Sequence, residues 1–100
     1  MDIGAGNHSA TKIKNVFPQC AYHGVDLERD YNNSEEDFKL MAGFYEMDLT
    51  KLNMSSIPDN YFDGIWMVHV IEHLYNGDEV IKHLLHKLKK GGFLYIEYPG

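Results

Sequence analysis

Cysteine is all but missing from this chain. Cys20 is the single one among 100 residues, so no internal disulfide can form, and it reads as a small buried residue ahead of an apolar segment. Basic residues are scarce too: nine Lys and Arg stand against 15 Asp and Glu, a formal charge of -6. That balance argues against a surface that tracks phosphates, because nucleic-acid binding draws most of its affinity from clustered cations. No apolar run approaches the length of a membrane span and no signal peptide is visible, which makes a cytoplasmic protein with no membrane partner the expectation. Repeats, low-complexity tracts and linker-like stretches are also lacking. With 44% hydrophobic and 24% charged residues, the composition suits one soluble globular domain over residues 1–100.

What is present begins with glycines in alternation, in Asp2-Ile3-Gly4-Ala5-Gly6-Asn7. Glycine has no Cβ, so a strand can turn sharply into a helix while its backbone approaches a ligand, and the helix N-terminus leaves amide donors free. A carboxylate about 20 residues on, at the tip of the next strand, is placed to accept hydrogen bonds from the hydroxyls of a ribose. Asp26, in Gly24-Val25-Asp26-Leu27, fits that place. Only Met1 precedes Asp2, where a buried strand of about four to eight residues is expected. The sequence therefore reads as a piece of a longer protein.

Downstream, a short helix is expected over residues 9–16 and a strand over 21–27. A helix follows over 34–41, with Ser34 as N-cap and Asp37 complementing its first turn. A brief strand over 43–47 ends at Asp48, and residues 49–60, rich in Asn, Ser and Asp around Pro58, form a loop or a very short helix. Residues 61–68 are the strongest strand, apolar on both faces through Ile65, Trp66, Met67 and Val68, as in a sheet covered on both sides. The helix expected over 78–90 carries Val80, Ile81, Leu84, Leu85 and Leu88 on one stripe and ends at Gly91-Gly92. Lys82, Lys87, Lys89 and Lys90 then suit the negative end of its dipole, before a last strand over 93–98. Strands alternating with helices predict a parallel α/β sheet, Rossmann-like, with helices on both faces. Ligands of such sheets bind beyond the carboxyl ends of the strands. Asp2, Asp26, Asp48 and the segment starting at His69 are expected at such ends, around one crevice.

In this arrangement the chain resembles the class I S-adenosylmethionine-dependent methyltransferases, over essentially all of its length. Asp2-Ile3-Gly4-Ala5-Gly6 is similar to the family's first motif, Gly24-Val25-Asp26 to its second and Met47-Asp48-Leu49 to its third. Pro58-Asp59-Asn60-Tyr61-Phe62-Asp63-Gly64-Ile65 resembles the lead into the fourth strand, and Leu88-Lys89-Lys90-Gly91-Gly92-Phe93-Leu94 the turn before the fifth. Each motif alone is weak; five in the family's order and spacing are specific. The resemblance implies S-adenosyl-L-methionine as cofactor. Asp2, Gly4 and Gly6 would surround its methionine portion, with Asn7 offering an amide, Asp26 and Leu27 would meet the ribose, and Asp48 and Leu49 would flank the adenine. Glu72-His73-Leu74 is common in the branch that modifies small molecules, and no Asn-Pro-Pro-Tyr or Asp-Pro-Pro-Tyr of the nucleobase amino-methylating enzymes follows the fourth strand. Two departures stand out: His8 occupies the place of the third glycine, and most of the first strand and the closing hairpin are lacking.

Where the acceptor must lose a proton, His69, Glu72 and His73 are the candidate bases, since histidine titrates near neutrality. His69 is the first choice to face a small-molecule acceptor; Glu72 and His73 could equally orient the loop. Tyr98 is a candidate border of the acceptor pocket. Three rival readings remain. A nicotinamide dehydrogenase needs glycine or alanine where Ser9 stands, and Asp2 would repel a pyrophosphate. A zinc protease is suggested by His69-Val70-Ile71-Glu72-His73, which matches an inverted His-x-x-Glu-His pattern but lacks an evident third ligand; the main reading assigns no metal. A non-catalytic module could retain the fold and the cofactor without turnover.

Overall fold

The computed structural model describes residues 1–28, 32–68 and 70–97. The chain divides into two compact units, one spanning Asp2–Met47 and the other Met1 with Asp48–Gly100. The His69 and Tyr98 assignments fall outside the described residues.

The first unit runs β1 (Asp2–Ile3), α1 (Ser9–Val16), β2 (Tyr22–Asp26), α2 (Glu35–Lys39) and β3 (Met41–Glu46). β1 pairs parallel to β2, with Asp2 beside Gly24 and Ile3 beside Val25. β2 pairs parallel to β3, with a register shift between Tyr22 and His23. Ala5, Ala10 and Tyr22 form a buried cluster against which Ile13, Cys20, Met41 and Phe44 pack. Cys20 is only half-buried. α2 starts as the sequence predicts: Ser34 accepts from the Asp37 amide while the Asp37 carboxylate accepts from the Ser34 amide, a reciprocal cap that satisfies two orphan donors. It ends at Lys39, and β3 begins at Met41 instead of residue 43.

The second unit contains β4 (Phe62–Val68), α3 (Gly77–Leu85) and β5 (Leu88–Glu97), with single 3-10 turns at Leu49–Lys51 and Ile71–His73. β4 and β5 are parallel, with Ile65 beside Leu94 and Met67 beside Ile96. Its core holds Leu49, Met54, Ile57, Phe62, Ile65, Met67, Val80, Leu84 and Leu88.

The late helix is shorter than its hydrophobic stripe predicts. α3 stops at Leu85, and Leu88, Lys89 and Lys90 belong to β5. Backbone competition explains the early stop: the carbonyl of His86 accepts from the Asn60 amide, and that of Lys87 from the amides of Tyr61 and Phe62. The Lys87 ammonium donates to the Ile57 carbonyl at 2.9 Å and to Asp59 at 2.7 Å. It is therefore buried against the loop and does not complement the helix end. Gly91 and Gly92 do not cap the helix. They lie within β5, Gly91 at φ 82, where the pairing jumps from Phe62–Leu88 to Gly64–Phe93. A left-handed residue that would end a helix serves equally well in a bulge. Leu85, expected on the core stripe, is exposed.

Candidate functional site

The glycine turn is assembled inside the first unit. After β1 the chain reverses at Gly4, whose φ of 81 is open to glycine at no steric cost. The amides of Gly4 and Ala5 both donate to the Val25 carbonyl, at 2.8 and 3.1 Å, which clamps the turn onto β2. Gly6 donates its amide to Asp26 Oδ2 at 3.1 Å, and Leu27 donates to Asp26 Oδ1 at 2.7 Å. The two sequence motifs, 20 residues apart, thus meet in one hydrogen bond. Asp26 is half-buried at the end of β2. Among the described residues each of its oxygens accepts one bond, and a carboxylate oxygen can accept more than one. Gly4 and Asn7 are exposed beside it, and the Leu27 side chain is 65% exposed.

Asp2 is placed differently from a residue presented to a ligand. It is 4% exposed, and its Oδ2 accepts from the Ser9 hydroxyl at 2.5 Å and from the Tyr22 hydroxyl. Burial pushes its carboxyl above the usual range, partly offset by those two donors. Burial and the adjacent Asp2 push the Tyr22 phenol up. What Asp2 does directly is tie the first residue of α1 and the first of β2 to the strand before the turn. Tyr22 was legible only as a strand residue, since nothing in the sequence ties it to Asp2.

His8 and Asp37 are the second pair that sequence reasoning missed. His8 sits in the left-handed region at φ 59 and precedes α1, a conformation that explains why a glycine is at home there. Its Nδ1 lies 2.6 Å from Asp37 Oδ2. A carboxylate only accepts, so that nitrogen carries the proton. Asp37, 1% exposed, also accepts from the Thr11 hydroxyl at 2.5 Å and from the Ser34 amide at 2.7 Å. Burial alone would raise its pKa. The Ser34, Thr11 and His8 donors outweigh burial and hold the carboxyl well below the usual range.

In the second unit Asp48 caps the turn Leu49–Lys51, accepting at Oδ1 from the Thr50 hydroxyl at 2.6 Å and the Thr50 amide at 3.0 Å. Those two bonds lower its pKa. Leu49 is 7% exposed, its side chain part of the unit's core. Glu72 and His73 lie exposed on the three-residue turn Ile71–His73, not on the α-helix that a pair of zinc-binding histidines four apart would use. Among the described residues no group of three or more His, Cys, Asp or Glu side chains could hold a metal ion.

A family profile described as a methyltransferase domain matches residues 1–96. The chain belongs to that methyltransferase family. No curated protein sequence matches. Among solved structures, this methyltransferase domain is similar to a SAM dependent methyltransferase from Archaeoglobus fulgidus: TM-score 0.70 and 25% identity, covering 99% of this chain and 43% of that one. The trans-methyltransferase CalH in complex with SAH shares the fold at TM-score 0.74 and 18% identity, over 95% of this chain and 30% of that one. The [4+2]-cyclase SpnF does so at 0.69 and 22%, over 95% and 36%. The chain thus spans less than half of each of these structures. With them, the α/β, Rossmann-like fold class expected from the order of elements stands. Among the described residues no helix is long and apolar enough to cross a membrane.

Proposed function

We propose that this chain is the cofactor-binding part of an enzyme that transfers a methyl group from S-adenosylmethionine to a small-molecule acceptor. The observation that carries the reading is the Gly6–Asp26 bond. It holds a half-buried carboxylate against the turn between exposed Gly4 and exposed Asn7, and a carboxylate oxygen accepts more than one bond, an acceptor set that fits the hydroxyls of a ribose. Asp26 takes the ribose hydroxyls, with Leu27 beside it. Gly4, Gly6 and Asn7 meet the methionine portion, and Asp2 supports them from behind through Ser9 and Tyr22. Asp48 and the Leu49 backbone are assigned to the adenine, since the Leu49 side chain is buried.

S-adenosylmethionine, when bound, supplies a methyl carbon on a sulfonium that departs as a neutral thioether. Little covalent help is then required of the protein, and alignment of acceptor and methyl group does most of the work; good alignment corresponds to about 7–11 kcal/mol of barrier. Where the acceptor must lose a proton, His69, Glu72 or His73 is assigned to take it, His69 being the first choice. The small-molecule class is favoured by the net charge of -6, which disfavours a nucleic-acid substrate, and by Glu72-His73-Leu74. A cytoplasmic setting belongs to the same reading.

The test is calorimetry on the full-length protein with S-adenosylmethionine, its demethylated product and NAD. Binding of both sulfur compounds and not of NAD is expected. Absence of binding by either sulfur compound would sink the proposal, and binding without any methyl transfer would reduce it to a module without turnover.

A further inference from the structure

A histidine at the third-glycine place loses the freedom that glycine offers, yet the backbone there still adopts φ 59. A left-handed residue other than glycine costs roughly 1–2 kcal/mol, so something in the fold must hold it. The structure puts that something on α2. The His8 ring is bonded to Asp37 at 2.6 Å, and the His8 amide lies 3.1 Å from the Asn32 carbonyl and 3.2 Å from Asn33 Oδ1. Asn32 donates to Asn7 Oδ1 at 2.6 Å, and Asn33 to the Ala5 carbonyl at 3.0 Å. Residues 5–8 are thus gripped by the stretch that caps α2. Asp37 is the centre of that grip, because the same buried carboxylate also holds α1 through Thr11 and the start of α2 through Ser34.

We propose that Asp37 is a positioning residue for the glycine turn, acting through His8 to keep the Gly6 amide and its neighbours in the arrangement that receives the cofactor. The proposal rests on the cofactor reading above. His8, 57% exposed, is then neither a metal ligand nor a base. It is the turn's half of a latch that replaces the freedom of a third glycine with a charge-assisted hydrogen bond.

The experiment compares His8→Ala, His8→Asn, Asp37→Asn and the double variant His8→Ala with Asp37→Asn in the full-length protein. His8→Ala is expected to bind S-adenosylmethionine about tenfold more weakly, as loss of one hydrogen bond to a charged group implies. The KM for that cofactor should rise accordingly while kcat stays within about twofold. Asn tolerates the left-handed region and carries an amide donor that reaches the place of Nδ1, so His8→Asn should restore affinity to within about twofold. Adding His8→Ala to Asp37→Asn should cost less than His8→Ala costs in the unaltered protein, because the amide has already lost the charge-assisted part of the same bond. In the free protein, the Gly6 and Ser9 amides should exchange with solvent faster in His8→Ala and not in His8→Asn. Unchanged affinity in His8→Ala, equal loss in His8→Asn, or additive losses in the double variant would each overturn the latch. If the unaltered protein binds no S-adenosylmethionine, the functional reading falls by itself and amide exchange decides the latch: equal rates in His8→Ala and the unaltered protein would refute it.

Discussion

At the scale of single residues, the cofactor turn depends on how closely its backbone can approach β2. A Cβ built on Gly24 would lie 2.7 Å from Ala5 Cβ and 3.0 Å from Phe44 Cδ2. Ala5 has no flexible end to swing away, so the turn itself would have to move. Gly24→Ala is therefore expected to destabilise the protein by about 1–3 kcal/mol, as overpacking does, read as a lower denaturant midpoint; an unchanged midpoint would contradict the packing described. The sequence points to Gly4, Gly6 and Asp26 as one constellation, because glycine alternation and the 20-residue spacing to a carboxylate are local signs. It does not show that Asp2 is buried beneath Tyr22. A hydroxyl on a strand residue has no visible destination until β1 and β2 are paired, and only then do Asp2 and Tyr22 meet.

Among the elements, α2 is only five residues long, too short to persist on propensity alone, and its reciprocal cap and buried Asp37 carry it. The sign of the pH dependence follows from the Asp37 carboxyl. Its pKa is lowered in the folded state, whereas an unfolded aspartate titrates at about 3.9. Its stabilisation is thus in place above that value and is lost as pH falls below it, where the unfolded state binds the proton first. Asp48 and Asp59, lowered by Thr50 and by Lys87 respectively, act in the same direction, and Asp2, raised by burial, acts against them. Asp37→Asn should reduce stability near neutral pH by about 1–3 kcal/mol and flatten the acid side of the stability curve. Denaturant titrations between about pH 3 and about pH 7 measure both; an equally steep acid limb in the variant would contradict the role given to Asp37. The Ser34 cap was readable from residue order, since a cap and its partner lie three residues apart. The end of α3 was not, because Leu88 continues the helical stripe while Asn60, Tyr61 and Phe62 take the carbonyls of His86 and Lys87. A stripe records which side chains are buried, and it cannot record which backbone groups a distant strand captures.

For the molecule as a whole, the order of strands and helices announced the α/β class, and the family match over residues 1–96 agrees with it. The acceptor is far less legible. The chain covers 43% of the Archaeoglobus fulgidus methyltransferase structure and 30% of CalH, and fold alone never dictates substrate. The central claim is therefore about the cofactor, and it rests on Asp26. The most direct measurement is calorimetric titration of the Asp26→Ala full-length protein with S-adenosylmethionine beside the unaltered protein. Two hydrogen bonds from ribose hydroxyls to a carboxylate, at about 1.5–3 kcal/mol each, set the expectation of a loss of roughly 100-fold or more in affinity. Affinity equal to that of the unaltered protein would contradict the account.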